Sequence, residues 1–227
     1  MTSILKVDQL QGQSGTTITV PSGTTLDVQG NATGVESGIV NVMYYTSSGT
    51  WTKATREAAL GVTLKRVYVQ VQGGGGGGNE SGTTSERKCG TGGGYAAKMI
   101  DLTGITSATI TVGSGGAGGV NTTGNDGGDS IWSDGTNTVT GGGGYGSVAG
   151  APPARSTASG GDFNQPGQFD TGRLGSASFL GLAVDERLTA SDTPGTAYYG
   201  AGGACKDGGG TAGAGGDGIV IVWEIAG

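Results

Sequence analysis

The sequence predicts an all-β protein in two parts: a short trimeric N-terminal β-stalk, residues 1–38, then a glycine-rich β-sandwich or β-roll, residues 39–227, carrying polyglycine-II-type helices. Three observations predict it. Apolar residues recur at every second position in most of the apolar segments, the spacing that places them on one face of a sheet. Only one short stretch has the composition of a helix. Glycine supplies 53 of 227 residues, 8 of them in residues 1–72 and 45 in residues 73–227, where average usage of roughly 7% would give about 16 in the whole chain. The glycine-rich part also holds Tyr95, Met99, Ile100, Ile131, Trp132, Phe163, Phe179 and an apolar run at 219–225. Disordered segments lack such clusters, so this part is read as folded.

The elements are taken in order. Thr16-Thr17-Ile18-Thr19-Val20 recurs as Thr24-Thr25-Leu26-Asp27-Val28 across Pro21-Ser22-Gly23. The echo places Ile18, Val20, Leu26 and Val28 on one face of two short strands. A pair this short cannot hide an apolar face by itself. Burial against the same face in other subunits makes these four residues trimerisation contacts of a homotrimer. A plain hairpin lying on the main domain is the alternative. Next, Val40, Val42 and Tyr44 alternate, Ser47-Ser48-Gly49 turns, and Trp51 follows. Residues 53–60 form the one candidate helix, with Gly61 placed to cap it. Val67, Val69 and Val71 then alternate with Tyr68, Gln70 and Gln72 in a half-buried strand that runs into six glycines, 73–78.

From there one pattern repeats: an apolar strand, a glycine run, a polar loop. Residues 109–112 precede glycines at 113, 115 and 116, and residues 130–133 and 136–140 form a hairpin around Asp134-Gly135, expected as a type I′ turn. The run 219–225 is the most apolar segment and belongs in the centre of a sheet. The glycine runs lack a strict Gly-X-Y period, which excludes collagen. Consecutive glycines have no side chains to pack. They can lie side by side as left-handed three-fold extended helices bonded backbone to backbone, an approach that only glycine permits.

Composition excludes much chemistry. The chain has no histidine, which removes Ser-His-Asp and Cys-His catalysis and most zinc sites. The chain is therefore expected not to be an enzyme and to use no cofactor. Asp185 and Glu186 are adjacent, so on a strand they point to opposite faces. Asp126, Asp129 and Asp134 are candidate calcium ligands, without the Gly-Gly-x-Gly-x-Asp repeat of calcium-binding β-rolls. Glycine runs match Gly-x-Gly-x-x-Gly trivially, and no Gly-Lys-Ser/Thr follows. Basic and acidic residues number five and four before Gly73, then seven and fourteen. No basic stripe offers itself to phosphates, so nucleic acid is not an expected partner. Without an apolar run of about 18 residues or a leader at Met1, neither membrane insertion nor secretion is expected. Synthesis in a reducing cytoplasm favours two thiols at Cys89 and Cys205 over a disulfide.

Several segments resemble known proteins. Ser3-Ile4-Leu5-Lys6-Val7-Asp8, Gly15-Thr16-Thr17 and Val20-Pro21-Ser22-Gly23-Thr24 resemble the amino termini of tail-fibre and other structural proteins of marine phages, including those of cyanobacteria. Gly49-Thr50-Trp51-Thr52, the strand 67–72 entering the six glycines, Gly92-Gly93-Gly94-Tyr95-Ala96, residues 112–118 and residues 218–224 are similar to the glycine-rich domain that ends such fibres. The tip adhesins of T-even phages look like more distant relatives. The resemblance covers most of the chain except about residues 145–199. It implies a virion structural protein, a tail fibre or adhesin that binds a host-surface protein or glycan, contacts other tail or fibre proteins and assembles in the host cytoplasm. A purely structural fibre, capsid-decoration or tail-adaptor protein is the alternative. Receptor contacts are expected in the stretch 145–199, which interrupts the glycine pattern, at Phe163, Asn164, Gln165, Phe169, Tyr198 and Tyr199. Rings flanked by amides on a rigid scaffold suit recognition. The competing reading makes Phe163, Phe169 and Phe179 a satellite core beneath a long loop.

Overall fold

Strand alternation sorts the apolar side chains into two sheets. The computed structural model describes residues 38–81, 89–120, 123–147, 154–168, 175–182, 197–207 and 209–227, all within one unit, Glu36–Gly227. The stalk residues Ile18, Val20, Leu26 and Val28, and also Phe169, lie outside the described residues. In chain order the elements are β1 (Ile39–Tyr45), β2 (Gly49–Thr52), α1 (Lys53–Leu60), β3 (Leu64–Gln72), β4 (Glu80–Ser81), β5 (Tyr95–Asp101), β6 (Ser107–Thr111), β7 (Ser130–Ser133), β8 (Thr138–Gly141), β9 (Ala158–Ser159), β10 (Phe163–Gln165), β11 (Lys206–Asp207) and β12 (Ile219–Ala226). The first sheet runs β1-β12-β3-β5-β10 and the second β2-β6-β7-β8-β9, each antiparallel throughout. A small parallel pair joins β11 to β4.

The core lies between the sheets. Val67, Val69 and Val71 of β3 and Val220 and Val222 of β12 share one buried cluster with Trp51, Ile110, Trp132 and Val139 of the second sheet. The Trp51 and Trp132 rings meet at 5.5 Å with a 49° tilt, an arrangement that the ring quadrupoles favour. Each fully buried aliphatic or aromatic side chain contributes about 1.5–3 kcal/mol. The most apolar strand, β12, is interior as its composition requires. It also carries a charge inward: Glu224 is fully buried beside Val220 and Val222. Its carboxylate accepts from Trp51 Nε1 at 2.8 Å, Arg56 Nε at 2.9 Å and Nη2 at 3.0 Å, and Asn41 Nδ2 at 2.9 Å. Burial alone would raise this carboxyl; the donors, Arg56 foremost, outweigh it and hold Glu224 below the ordinary glutamate value. The pair ties α1 to the first sheet. At its other end α1 stops at Gly61, whose φ of 69° and N–H bond to Glu57 O form a left-handed cap.

One turn differs from expectation. Ser133 pairs with Thr138, so the β7–β8 connection has four residues rather than the two of a type I′ turn. The cause is Asp134, whose carboxylate accepts from Trp132 Nε1 at 3.1 Å, Thr136 N at 2.9 Å and Asn137 N at 2.6 Å. These bonds hold a wider loop open, with Gly135 at a φ of 86°.

Beyond the sheets the glycine segments form a backbone array. The N–H groups of residues 73–78 donate in turn to the carbonyls of Gly94, Gly128, Gly216, Thr91, Asn125 and Gly213, at 2.8–3.0 Å. The partners repeat every three residues: 73 and 76 face one segment, 74 and 77 a second, 75 and 78 a third. The carbonyls follow the same rule. Those of Gly74 and Gly77 accept from Gly144 and Ser147, those of Gly75 and Gly78 from Gly116 and Gly119, and that of Gly76 from Gly203. Six segments thus surround one. The central segment is buried throughout, and at Gly75 an added Cβ would fall on the Ala201 carbonyl. At the outer edge aspartates replace the missing neighbours, with Gly115 N, Gly143 N and Gly146 N donating at 2.7 Å to Asp217, Asp129 and Asp126. Cys89 and Cys205 are both buried in this array, and Cys205 N donates to Cys89 Sγ at 3.1 Å.

Candidate functional site

One face of the first sheet packs on the core, and antiparallel register fixes what the other face presents. Opposite Val67, Val69 and Val71, β3 places Tyr68, Gln70 and Gln72 on its other face, where Tyr68 and Gln70 are partly exposed and Gln72 is fully buried. Across the strands one row reads Val42, Trp223, Tyr68, Met99, and the next reads Tyr44, Ile221, Gln70, Ala97, Phe163. Gln70 sits at the middle of this face. Its Oε1 accepts from Trp223 Nε1 at 2.9 Å and its Nε2 donates to the Tyr95 hydroxyl at 2.7 Å. Burial pushes the Tyr95 phenol up to about 12, with the Gln70 hydrogen bond acting in the opposite direction. Tyr95 is therefore a neutral anchor.

The rings of Tyr95 and Phe179 stack at 4.1 Å, and Phe163 meets them at 6.0 and 5.8 Å. Tyr95 is buried, while Phe163 and Phe179 remain 48% and 55% exposed. The chain around Phe179 is pinned from both sides: Leu180 N donates to Gln72 Oε1 at 3.3 Å, and Ser178 Oγ donates to the Tyr199 carbonyl. Tyr198 and Tyr199 are 63% and 43% exposed, on a turn closed by Ala201 N donating to the Tyr198 carbonyl.

The residues expected to bind a receptor are thus placed as follows. Phe163, Asn164 and Gln165 are not in a displayed loop; they form β10, the edge strand of the first sheet, because their backbone pairs with residues 95–97. Phe163 faces outward beside Phe179. Asn164 is occupied locally, its amide bonding Gly161 N at 3.0 Å and Gly161 O at 2.8 Å. Tyr199 is tied to the Phe179 segment through its carbonyl. Phe163 and Phe179 do pack together, on Tyr95, yet both stay half-exposed. Sequence reasoning missed Tyr44, Tyr68 and Trp223 as members of this surface, and Tyr95 as the buried ring on which Phe163 and Phe179 pack. Part of their signal was present in the alternation that located the valines: Tyr68, Gln70 and Gln72 fill the intervening positions of β3, while Tyr44 and Trp223 stand among Val42, Ile219, Ile221 and Ile225 on β1 and β12. The carboxylates considered for calcium, Asp126, Asp129 and Asp134, each accept backbone N–H groups. Among the described residues no group of three or more His, Cys, Asp or Glu side chains is placed to hold a metal ion.

Among the described residues, two antiparallel sheets, one helix and a hydrogen-bonded mass of glycine segments define a glycine-rich all-β domain. Residues 46–181 match the family model described as a glycine-rich domain, and the chain belongs to that family. No curated protein was found to match it.

Proposed function

We propose that this chain is a virion structural protein, a tail fibre or adhesin of a phage that recognises a host-cell surface receptor without catalysis. The observation that carries the reading is the uncovered, ring-rich face of the first sheet, held beside a scaffold of buried backbone. A scaffold whose interior excludes side chains leaves function to its rim, where rings on rigid supports give contact area at low entropic cost. We read the array as polyglycine-II-type helices. In support are the three-residue repeat of its hydrogen bonds and the six segments around residues 73–78.

The absence of histidine and the engagement of Asp126, Asp129, Asp134, Asp217 and Glu224 with N–H donors support a non-enzymatic role. In this reading residues 1–38 form a trimeric β-stalk through Ile18, Val20, Leu26 and Val28 and join other tail or fibre proteins. The particle assembles in the host cytoplasm. The test is direct: fluorescently labelled protein is mixed with a panel of marine cyanobacterial and heterotrophic strains. Saturable adsorption to at least one strain, reduced by Phe163→Ala together with Tyr198→Ala and Tyr199→Ala, is expected. Equal adsorption by the triple variant would remove these rings from the contact, and no adsorption to any strain would refute the adhesin reading.

A further inference from the structure

The two outward rows of the first sheet contain nine side chains, from Val42 to Met99 and from Tyr44 to Phe163, and none is charged. Tyr44 is 64% exposed, and Trp223 and Tyr68 are partly exposed. The charges beside the rows come in opposite pairs: Asp162, which accepts from Met99 N at 3.0 Å, meets Lys98 at 3.3 Å, and Arg66 stands opposite Asp101 one row away. With strands about 4.8 Å apart and residues rising about 3.4 Å, these two rows cover roughly 300 Å². A stable protein interface buries about 800 Å² per partner, so this strip by itself is too small to hold a second copy or another folded protein.

The side-chain chemistry fits a smaller occupant. Pyranose rings present an apolar face of C–H groups that stacks on an aromatic ring, and a rim of hydroxyls that bonds phenols, indoles and amides. Tyr44, Tyr68, Trp223 and Phe163 supply the rings, and Tyr44, Tyr68 and the second amide hydrogen of Gln70 the polar groups, in adjoining rows that hold no cation to match an acidic sugar; the Trp223 N–H itself is engaged by Gln70. We propose that a neutral glycan lies across this face, spanning the strands from Tyr44 to Phe163. This rests on the host-recognition reading and gives it a ligand class and a position on the sheet.

The chain has three tryptophans, and Trp51 and Trp132 are fully buried in the core. A ligand that stacks on the sheet therefore changes the emission of Trp223 alone. The intact protein is titrated with maltohexaose, laminarihexaose, mannohexaose and chitohexaose, and with an alginate hexasaccharide as the anionic comparison. A saturable emission change with at least one neutral sugar is expected. Tyr44→Ala with Phe163→Ala should weaken it about tenfold, in line with the loss of two exposed rings, while the far-ultraviolet circular dichroism of the folded protein is retained. No change with any of the four neutral sugars overturns the assignment, as does a response to alginate alone. A fall in mass of the double variant by light scattering would mean that the face is buried between copies, which also overturns it. Undiminished adsorption of the double variant to cells that bind the parent protein removes the glycan site and leaves host recognition standing. Failure of the parent to adsorb to any strain removes host recognition itself.

Discussion

Replacing Gly75 by alanine tests whether the array is held by backbone contact. The added Cβ falls on the Ala201 carbonyl and lies 2.9 Å from the Gly200 carbonyl oxygen. Both obstacles are main chain, so no rotamer change relieves the clash. Restoring van der Waals distance requires the segments to part by about 1 Å. That displacement stretches the bond that joins these two segments, Gly203 N to Gly76 O at 2.8 Å, past hydrogen-bonding range and leaves both a donor and an acceptor without a partner. Leaving a buried donor or acceptor unsatisfied costs about 1–3 kcal/mol. Alanine returns about 0.5–1 kcal/mol by restricting the unfolded chain. The net loss is about 2–5 kcal/mol, or about 5–15 °C in Tm for a chain of this size. Gly49→Ala is the matched control, because Gly49 meets nothing nearer than the Tyr45 ring at 3.9 Å. Thermal unfolding followed by circular dichroism compares the two. Equal melting temperatures would refute the packed array and mean that the glycine segments yield freely.

Three further outcomes are expected. Glu224 has a folded pKa below its unfolded one, so its contribution is complete above the unfolded value, about 4.3, and is lost as pH falls through the folded value. Glu224→Gln should flatten this acid limb in urea titrations and lower stability at neutral pH by about 2 kcal/mol, the scale of charged hydrogen bonds; an unchanged acid limb would exclude Glu224 as its source. Asp129→Ala leaves Gly143 N without its 2.7 Å acceptor, and because that N–H is only half-buried the loss should be about 1 kcal/mol by denaturant midpoint. Deletion of residues 1–38 should lower the oligomeric mass measured by light scattering, and a monomeric intact chain would refute the trimeric stalk.

Much of the fold was legible because it rests on local signals. The alternation at Val67, Val69 and Val71 and the apolar run of β12 identify strands wherever they pair, and Gly61 marks the end of α1 by its own conformation. What stayed hidden depends on pairing across the chain. Nothing in the apolar run 219–225 explains its one charge, Glu224, until Arg56, Trp51 and Asn41 are brought around it. A three-residue strand such as β10 has too few positions to show a period, so Phe163, Asn164 and Gln165 read as loop. The sheet face escaped notice for a related reason. Tyr44, Tyr68 and Trp223 are unremarkable singly, and only the β1-β12-β3 register sets them side by side. The β7–β8 turn was misjudged because Asp134-Gly135 satisfies the two-residue pattern, while the Asp134 side chain decides the loop.

The glycine segments carried one more signal, in the residues that are not glycine. Ser114, Ala117 and Val120 are exposed while Gly113, Gly116 and Gly119 are buried, and Thr211, Ala214 and Asp217 repeat the spacing on another segment. A three-fold extended chain points successive residues in three directions. A segment at the edge of the array has one direction open and tolerates a side chain at every third position; the surrounded segment 73–78 has none open and is glycine throughout. Sequence spacing therefore encodes how many neighbours a segment has. The rule predicts opposite responses one residue apart. Ala117→Gln adds a long side chain into solvent and should leave Tm within about 2 °C, as for ordinary surface substitutions. Gly116→Ala adds one methyl group against the Asn125 carbonyl and strains the bond from Gly116 N to Gly75 O, for a loss of about 2 kcal/mol or more. If the glutamine is the more disruptive of the two, side-chain size rather than direction governs these segments and the three-residue rule fails.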